Sequence, residues 1–229
     1  MLTVSERLKA FWSGRHRRDG FLLGLAVGTF GVTFGVLAVS AGVSGLQAVL
    51  MSLLMFTGAS QFAAVGVVST GGDPMSALGA ALLLAARNGA YALSMSEVMP
   101  SGRGSRLIAA QLIIDESTAM AEAQVKLEET REAFWVTGLS VFFFWNLGTL
   151  IGVLVGGVVG DPLTWGLDAA FPAGFLALLV PHLKDRNKRR AAATGAVVAA
   201  VTIPLLPAGF PVLLASLGAV VVARIESRK

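Results

Sequence analysis

The chain has 229 residues, of which 55% are hydrophobic and only 14% charged, and its mean hydropathy is +0.73. A water-soluble domain interrupts its apolar runs with charge every few residues, whereas here stretches of about 20 residues pass without one, the length a bilayer core requires. Eighteen Lys and Arg against fourteen Asp and Glu give +4, but the basic residues sit at the ends of apolar segments and report membrane orientation, with no call for a nucleic-acid partner. The lack of Cys excludes disulfides and thiolate metal sites, and two separated histidines, His16 and His182, make no metal cluster.

Residues 1–20 form a basic segment carrying Arg7, Lys9, Arg15, Arg17 and Arg18, expected on the cytoplasmic side. The apolar run from Phe21 is long enough to span and lacks a small-residue cleavage site, so it reads as a helix and not as a signal peptide. Residues 21–229 read as one polytopic transport domain with eight apolar segments near 21–41, 46–69, 76–98, 106–125, 134–159, 164–182, 191–206 and 208–223. A bilayer offers no water to unpaired backbone groups and nothing alternates like barrel strands, so the expected fold is an all-α membrane bundle. The ambiguous segment is 106–125, where Asp115 and Glu116 stand in the middle and a surface helix is the alternative. Loop charge favours a crossing. With eight crossings, fifteen of the eighteen basic residues are cytoplasmic, including those of KDRNKRR at 184–190, and both termini are inside. Arg103 and Arg106 are then left outside.

Glycine is concentrated within the spans (Gly24, Gly28, Gly31, Gly35; Gly148, Gly152, Gly156), where small residues let helix backbones approach closely. A faint repeat at an offset of 85 to 88 pairs Gly89 with Gly174 and the GDP turns at 72–74 and 160–162. It would make segments 1–3 and 4–6 inverted repeats, a plan common in secondary transporters.

A charge at bilayer depth costs about 2.5–3.5 kcal/mol, so Arg87, Asp115 and Glu116 need partners or a wet cavity. Arg87 and Asp115 both fall near mid-depth of their segments, which allows an ion pair that either couples two helices mechanically or handles solute and protons. Adjacent carboxylates cannot share a helix face, so one of Asp115 and Glu116 is expected to face the path and to carry the proton. In MSLLMFTGASQFAAVG, the run Thr57, Gly58, Ala59, Ser60, Gln61 is expected to unwind and to offer a helix end and an amide to a zwitterion. A small-residue packing face is the alternative. Asn146 occupies the position matching Gln61 at offset 85. The substrate-binding candidates are therefore Ser60, Gln61, Arg87 and Asn146. Asp168 precedes Pro172, predicting a kinked helix near the outer side. Phe142, Phe143, Phe144 and Trp145 are expected to face lipid or core. No P-loop, dinucleotide turn, zinc signature or nucleophile constellation is present, so neither an enzyme nor a cofactor is expected, and transport would be gradient-driven.

SLLMFTGASQFAA, ARNGAYALS, LIIDEST, FFFWNLGTLIGVLVGG and GLDAAFPAGFLALL, in that order, resemble the AzlC-type family, the large subunit of bacterial branched-chain amino acid exporters. The resemblance covers roughly residues 20–182. It implies a small AzlD-type partner subunit, a multi-pass location in the bacterial cytoplasmic membrane, and proton-coupled export of branched-chain or similar hydrophobic amino acids. Of the family's Asn, Arg, His and Tyr in this segment, Arg87 and Tyr91 are met here, while Ala85 and Asn88 replace its Asn and His. A rival reading is a membrane scaffold or assembly subunit with no path of its own, in which the polar mid-span residues only join helices.

Overall fold

A computed structural model describes residues 14–157 and 179–206, with isolated positions at 12, 176, 210, 211, 214, 215, 217 and 218. Asp168, Pro172, and most of the segments at 164–182 and 208–223 lie outside the described residues. Within them all regular structure is helical: α1 (Arg15–Ser40), α2 (Gly45–Leu54), α3 (Gly58–Ser69), α4 (Pro74–Ser94), a short 3-10 turn (Ser96–Val98), α5 (Arg103–Gln111), α6 (Asp115–Glu122), α7 (Leu127–Gly156), a second 3-10 turn (Val180–Lys184) and α8 (Arg186–Thr202).

The centre is the pair α1 and α7, the two described helices long and apolar enough to cross a bilayer. Gly20 lies against Thr137, Gly24 against Ser140, Gly28 against Phe144, Gly31 against Trp145 and Gly35 against Thr149 and Gly152. Both series rise together, so α1 and α7 run parallel. A Cβ at Gly24 would stand 2.6 Å from that of Ser140, and one at Gly148 or Gly152 would meet the carbonyl of Gly28 or Val32. The glycines of both helices thus form one contact line, as their spacing predicts. Arg17 and His16 both donate to Glu132, at 2.8 and 2.9 Å, tying the two N-terminal ends together. The outward residues Leu22, Leu25, Leu139, Phe143 and Leu154 are exposed, a surface suited to lipid tails.

From the C-terminal end of α1 the chain turns at Gly42 (φ +86°) into α2. Ser44 caps α2 through a reciprocal pair with Gln47, each side chain accepting from the other's backbone N–H. α2 descends along α7, with Ser52 on Thr149 (Oγ to Oγ1, 3.1 Å) and Phe56 edge-on to Phe142 near the midpoint of that helix. There it stops. Met55–Thr57 is non-helical, and α3 restarts at Gly58, the unwinding expected from the small residues. α3 then ends at a turn through Gly71 (φ +76°), after which Asp73 caps α4 and Pro74 fills its first position. The Asp73 carboxyl accepts from Ser76 Oγ at 2.6 Å, which with backbone donors holds it below the usual carboxylate range.

The direction of α4 does not support part of the expected topology. Its 21 residues rise about 31 Å, and just beyond its C-terminus the carbonyl of Glu97 accepts from Arg131 Nη2, in the second turn of α7. The end of α4 therefore lies beside the N-terminal ends of α1 and α7, and its start lies beside their C-terminal ends. Val68, late in α3, lines one open cleft with Gly42, Gln47 and Met51. The segment at 46–69 enters and leaves by the same end of the molecule.

The segment at 106–125 does the same from the opposite end. α5 rises from Gly102 to the middle, where Gln111 Nε2 donates to the carbonyls of Leu53 (2.8 Å) and Leu54 (3.4 Å), the last residues of α2. The chain breaks at Leu112–Ile114 and α6 returns to Lys126. Ser117 closes this break, donating to the Leu112 carbonyl at 2.5 Å and accepting from the Ile114 N–H at 3.2 Å. Two broken pairs thus meet tip to tip. Eight end-to-end crossings needed both segments to traverse; among the described residues α1 and α7 are the helices able to cross, and α4 runs between the same two ends. Arg103 and Arg106, expected at the far end, stand at the same end as Arg15, Arg17, Arg18, Lys126 and Arg131. Under the 85-residue offset, the break at Met55–Thr57 falls inside continuous α7 and that at Leu112–Ile114 inside continuous α1, so the two breaks are not repeat-related in that register.

Candidate functional site

The two tips gather the polar groups singled out in the sequence. Arg87 Nη2 on α4 meets Asp115 Oδ2, the first residue of α6, at 2.7 Å. Tyr91, one turn further along α4, stands beside the same carboxylate. Asp115 therefore holds α6 to α4, while Glu116, next in the same turn, is partly buried outside the ion pair. The pair is only partly enclosed, with 36% of the Arg87 side chain and 39% of that of Asp115 exposed.

The other tip buries its polar side chains. Gln61 is 0% exposed, and neither its amide oxygen nor its amide nitrogen has a hydrogen-bond partner. Ser60 is equally buried, its hydroxyl 3.3 Å from that of Thr57. Trp145 of α7 lies over this turn: a Cβ at Gly58 would stand 2.9 Å from its ring, and its indole N–H is buried without a partner. Phe34 stacks on Trp145 with centroids 6.2 Å apart, and Phe62 meets it edge-on at 6.0 Å. Asn146 is less engaged. Its amide nitrogen donates to the Phe142 carbonyl of its own helix at 2.8 Å, and its buried oxygen is unpartnered. A buried polar group without a partner costs about 1–3 kcal/mol, so the orphans around Gln61 and Trp145 make this turn costly as it stands. Among the described residues no cluster of metal-ligating side chains occurs.

A family model described as "AzlC protein" matches residues 23–159, from α1 past the end of α7. The chain belongs to the AzlC family. Among its relatives are an uncharacterized membrane protein of Helicobacter pylori, 30% identical over 93% of this chain and 92% of its own length, and one of Archaeoglobus fulgidus, 34% identical over 73% of this chain and 74% of its own. The "Branched-chain amino acid transport protein AzlC" of Bacillus subtilis is 27% identical over 85% of this chain and 78% of its own length. No solved structure matches. With relatives named as membrane proteins and two helices able to span, this AzlC-family chain is a membrane protein, helical in all the regular structure of its described residues.

The ion pair and the break after α2, both enclosed by the family match, belong to residues chosen from the sequence; the break at Leu112–Ile114 does not. Three contributors escaped the sequence reading. Tyr91 stood only as a matching family position, Gln111 is a lone amide in an amphipathic segment, and Trp145 sits in an FFFW run expected to face lipid or core, with no sign of a polar role. Trp145 is in the core, 4% exposed.

Proposed function

We propose that the chain forms the path of a proton-coupled exporter for branched-chain or similar hydrophobic amino acids in a bacterial cytoplasmic membrane, working with a small AzlD-type subunit. The observation that carries this reading is the Arg87–Asp115 pair, set where two helix breaks from opposite ends of the molecule meet. Interrupted helices at mid-depth offer backbone groups and helix ends to a polar solute without exposing them to lipid. The name of the Bacillus subtilis relative supplies the substrate class.

The end bearing Arg15, Arg103, Arg106, Lys126 and Arg131 is cytoplasmic in this reading, because residues 41–86, which form the opposite end, contain no Lys or Arg. Ser60, Gln61, Arg87 and Asn146 bind the solute, and Asp115 or Glu116 exchanges the proton. An ion pair more than one-third exposed cannot face hydrocarbon, so it opens to a wet path or is covered by a further helix, which a companion subunit would supply. A scaffold without a path would have no use for the enclosed, unpartnered amide of Gln61.

Transport of labelled leucine into inverted vesicles carrying the chain and its partner tests the reading. Asp115→Asn or Glu116→Gln is expected to abolish accumulation driven by a pH gradient while leaving amino acid for amino acid exchange, which needs no net proton movement. If both variants accumulate leucine with wild-type pH dependence, neither carboxylate carries the proton.

A further inference from the structure

The two half-helices that begin at the tips differ in their electrostatics. α6 starts with Asp115 and Glu116 in its first turn, so its positive end already has carboxylates of its own. α3 has no acidic residue in its first turn, and its N-cap Thr57 makes no side-chain cap. Among the described residues the N–H groups of Gly58 and Ala59 have no partner; the first amides to bond back, those of Ser60 and Gln61, go to the Thr57 carbonyl. A helix start with open amides and no counter-charge favours an anion.

Two further observations point at the same turn. Gln61 is the fourth residue of α3, and helical side chains lean toward the N-terminus, so its enclosed and unpartnered amide is directed over that first turn. The Trp145 ring rests against Gly58, where any larger residue would strike it, and its unpartnered indole N–H is 4% exposed. Three kinds of unpartnered donor therefore belong to this one turn and the ring packed on it: backbone amides, a carboxamide and an indole.

We propose that the first turn of α3, with Gln61 and Trp145, is the seat of the substrate's α-carboxylate, and that Trp145 is a substrate-contacting residue which selects for that carboxylate. The inference rests on the amino acid transport reading and adds an orientation to it. The carboxylate lies at α3, away from the α6 tip where Asp115 and Glu116 would repel it. Phe34 and Phe62, packed on the same indole, give the seat an apolar wall for an aliphatic side chain. Trp145 acts through its N–H, so phenylalanine in its place keeps the wall and removes the donor.

Competition of unlabelled leucine and leucinamide against labelled leucine on the purified full-length chain together with its partner subunit measures the preference for a free carboxylate. The wild type is expected to prefer leucine by at least about tenfold, the ratio one hydrogen-bonded charge supports. Trp145→Phe and Gln61→Met should each reduce that ratio severalfold, and ligand-free melting shows whether each variant is folded. A folded Trp145→Phe that keeps the wild-type ratio overturns the carboxylate seat and leaves the transport reading standing. A wild type that binds labelled leucine but prefers it no more than leucinamide does the same. Absence of any binding of leucine, valine or isoleucine to the wild type overturns the transport reading, and the seat with it.

Discussion

Removing one charge from the Arg87–Asp115 pair strands the other at the junction of the two helix breaks. Breaking a fully buried pair costs about 3–5 kcal/mol, and the exposure of both side chains makes the expected cost smaller. Thermal melts of Arg87→Gln and Asp115→Asn should each fall below wild type, with the double variant recovering part of the loss. Strictly additive losses would show that the two residues do not depend on each other. Both were legible in the sequence, since an ionisable group inside an apolar segment is conspicuous. Trp145 was not, because an indole in an aromatic run gives no sign of whether its N–H finds a partner; only the packing of Phe34, Phe62 and Gly58 around it shows that it does not.

Among the elements, α1 and α7 depend on the glycines between them. Gly152 has no room for even a methyl group beside the Val32 carbonyl, so Gly152→Leu is expected to part the helices. Overpacking of this kind costs about 1–3 kcal/mol, read as a lower melting temperature in detergent, whereas Gly66→Ala, with nothing within 4 Å, should melt as wild type. A Gly152→Leu chain of unchanged melting temperature would refute the close contact. The glycine spacing announced this interface, and Thr57-Gly58 announced the break after α2. The break at Leu112–Ile114 had no such announcement: it contains neither Gly nor Pro, and the hydroxyl that closes it, Ser117, lies in the following helix.

For the whole molecule, hydropathy measures the length of an apolar segment and carries no information on whether it turns back. Segments 46–69 and 106–125 are long enough to cross, yet each returns to its own end; the displaced Arg103 and Arg106 were the one sequence signal of this. The native chain has no Cys, so single cysteines placed at Thr70 and Gly102 separate the two topologies. In intact cells an impermeant thiol reagent should label Thr70→Cys and spare Gly102→Cys; eight crossings require the reverse. The parallel pairing of α1 with α7 also dictates an order of events during synthesis. His16 and Glu132 are 116 residues apart in sequence, and at about 5–20 residues per second α1 must wait roughly 6–23 s for its partner to be made. Throughout that interval its glycine face is bare in the lipid, open to any other small-residue helix nearby. The nascent chain must therefore be either shielded by the insertion machinery or protected by the speed with which the intervening helices follow.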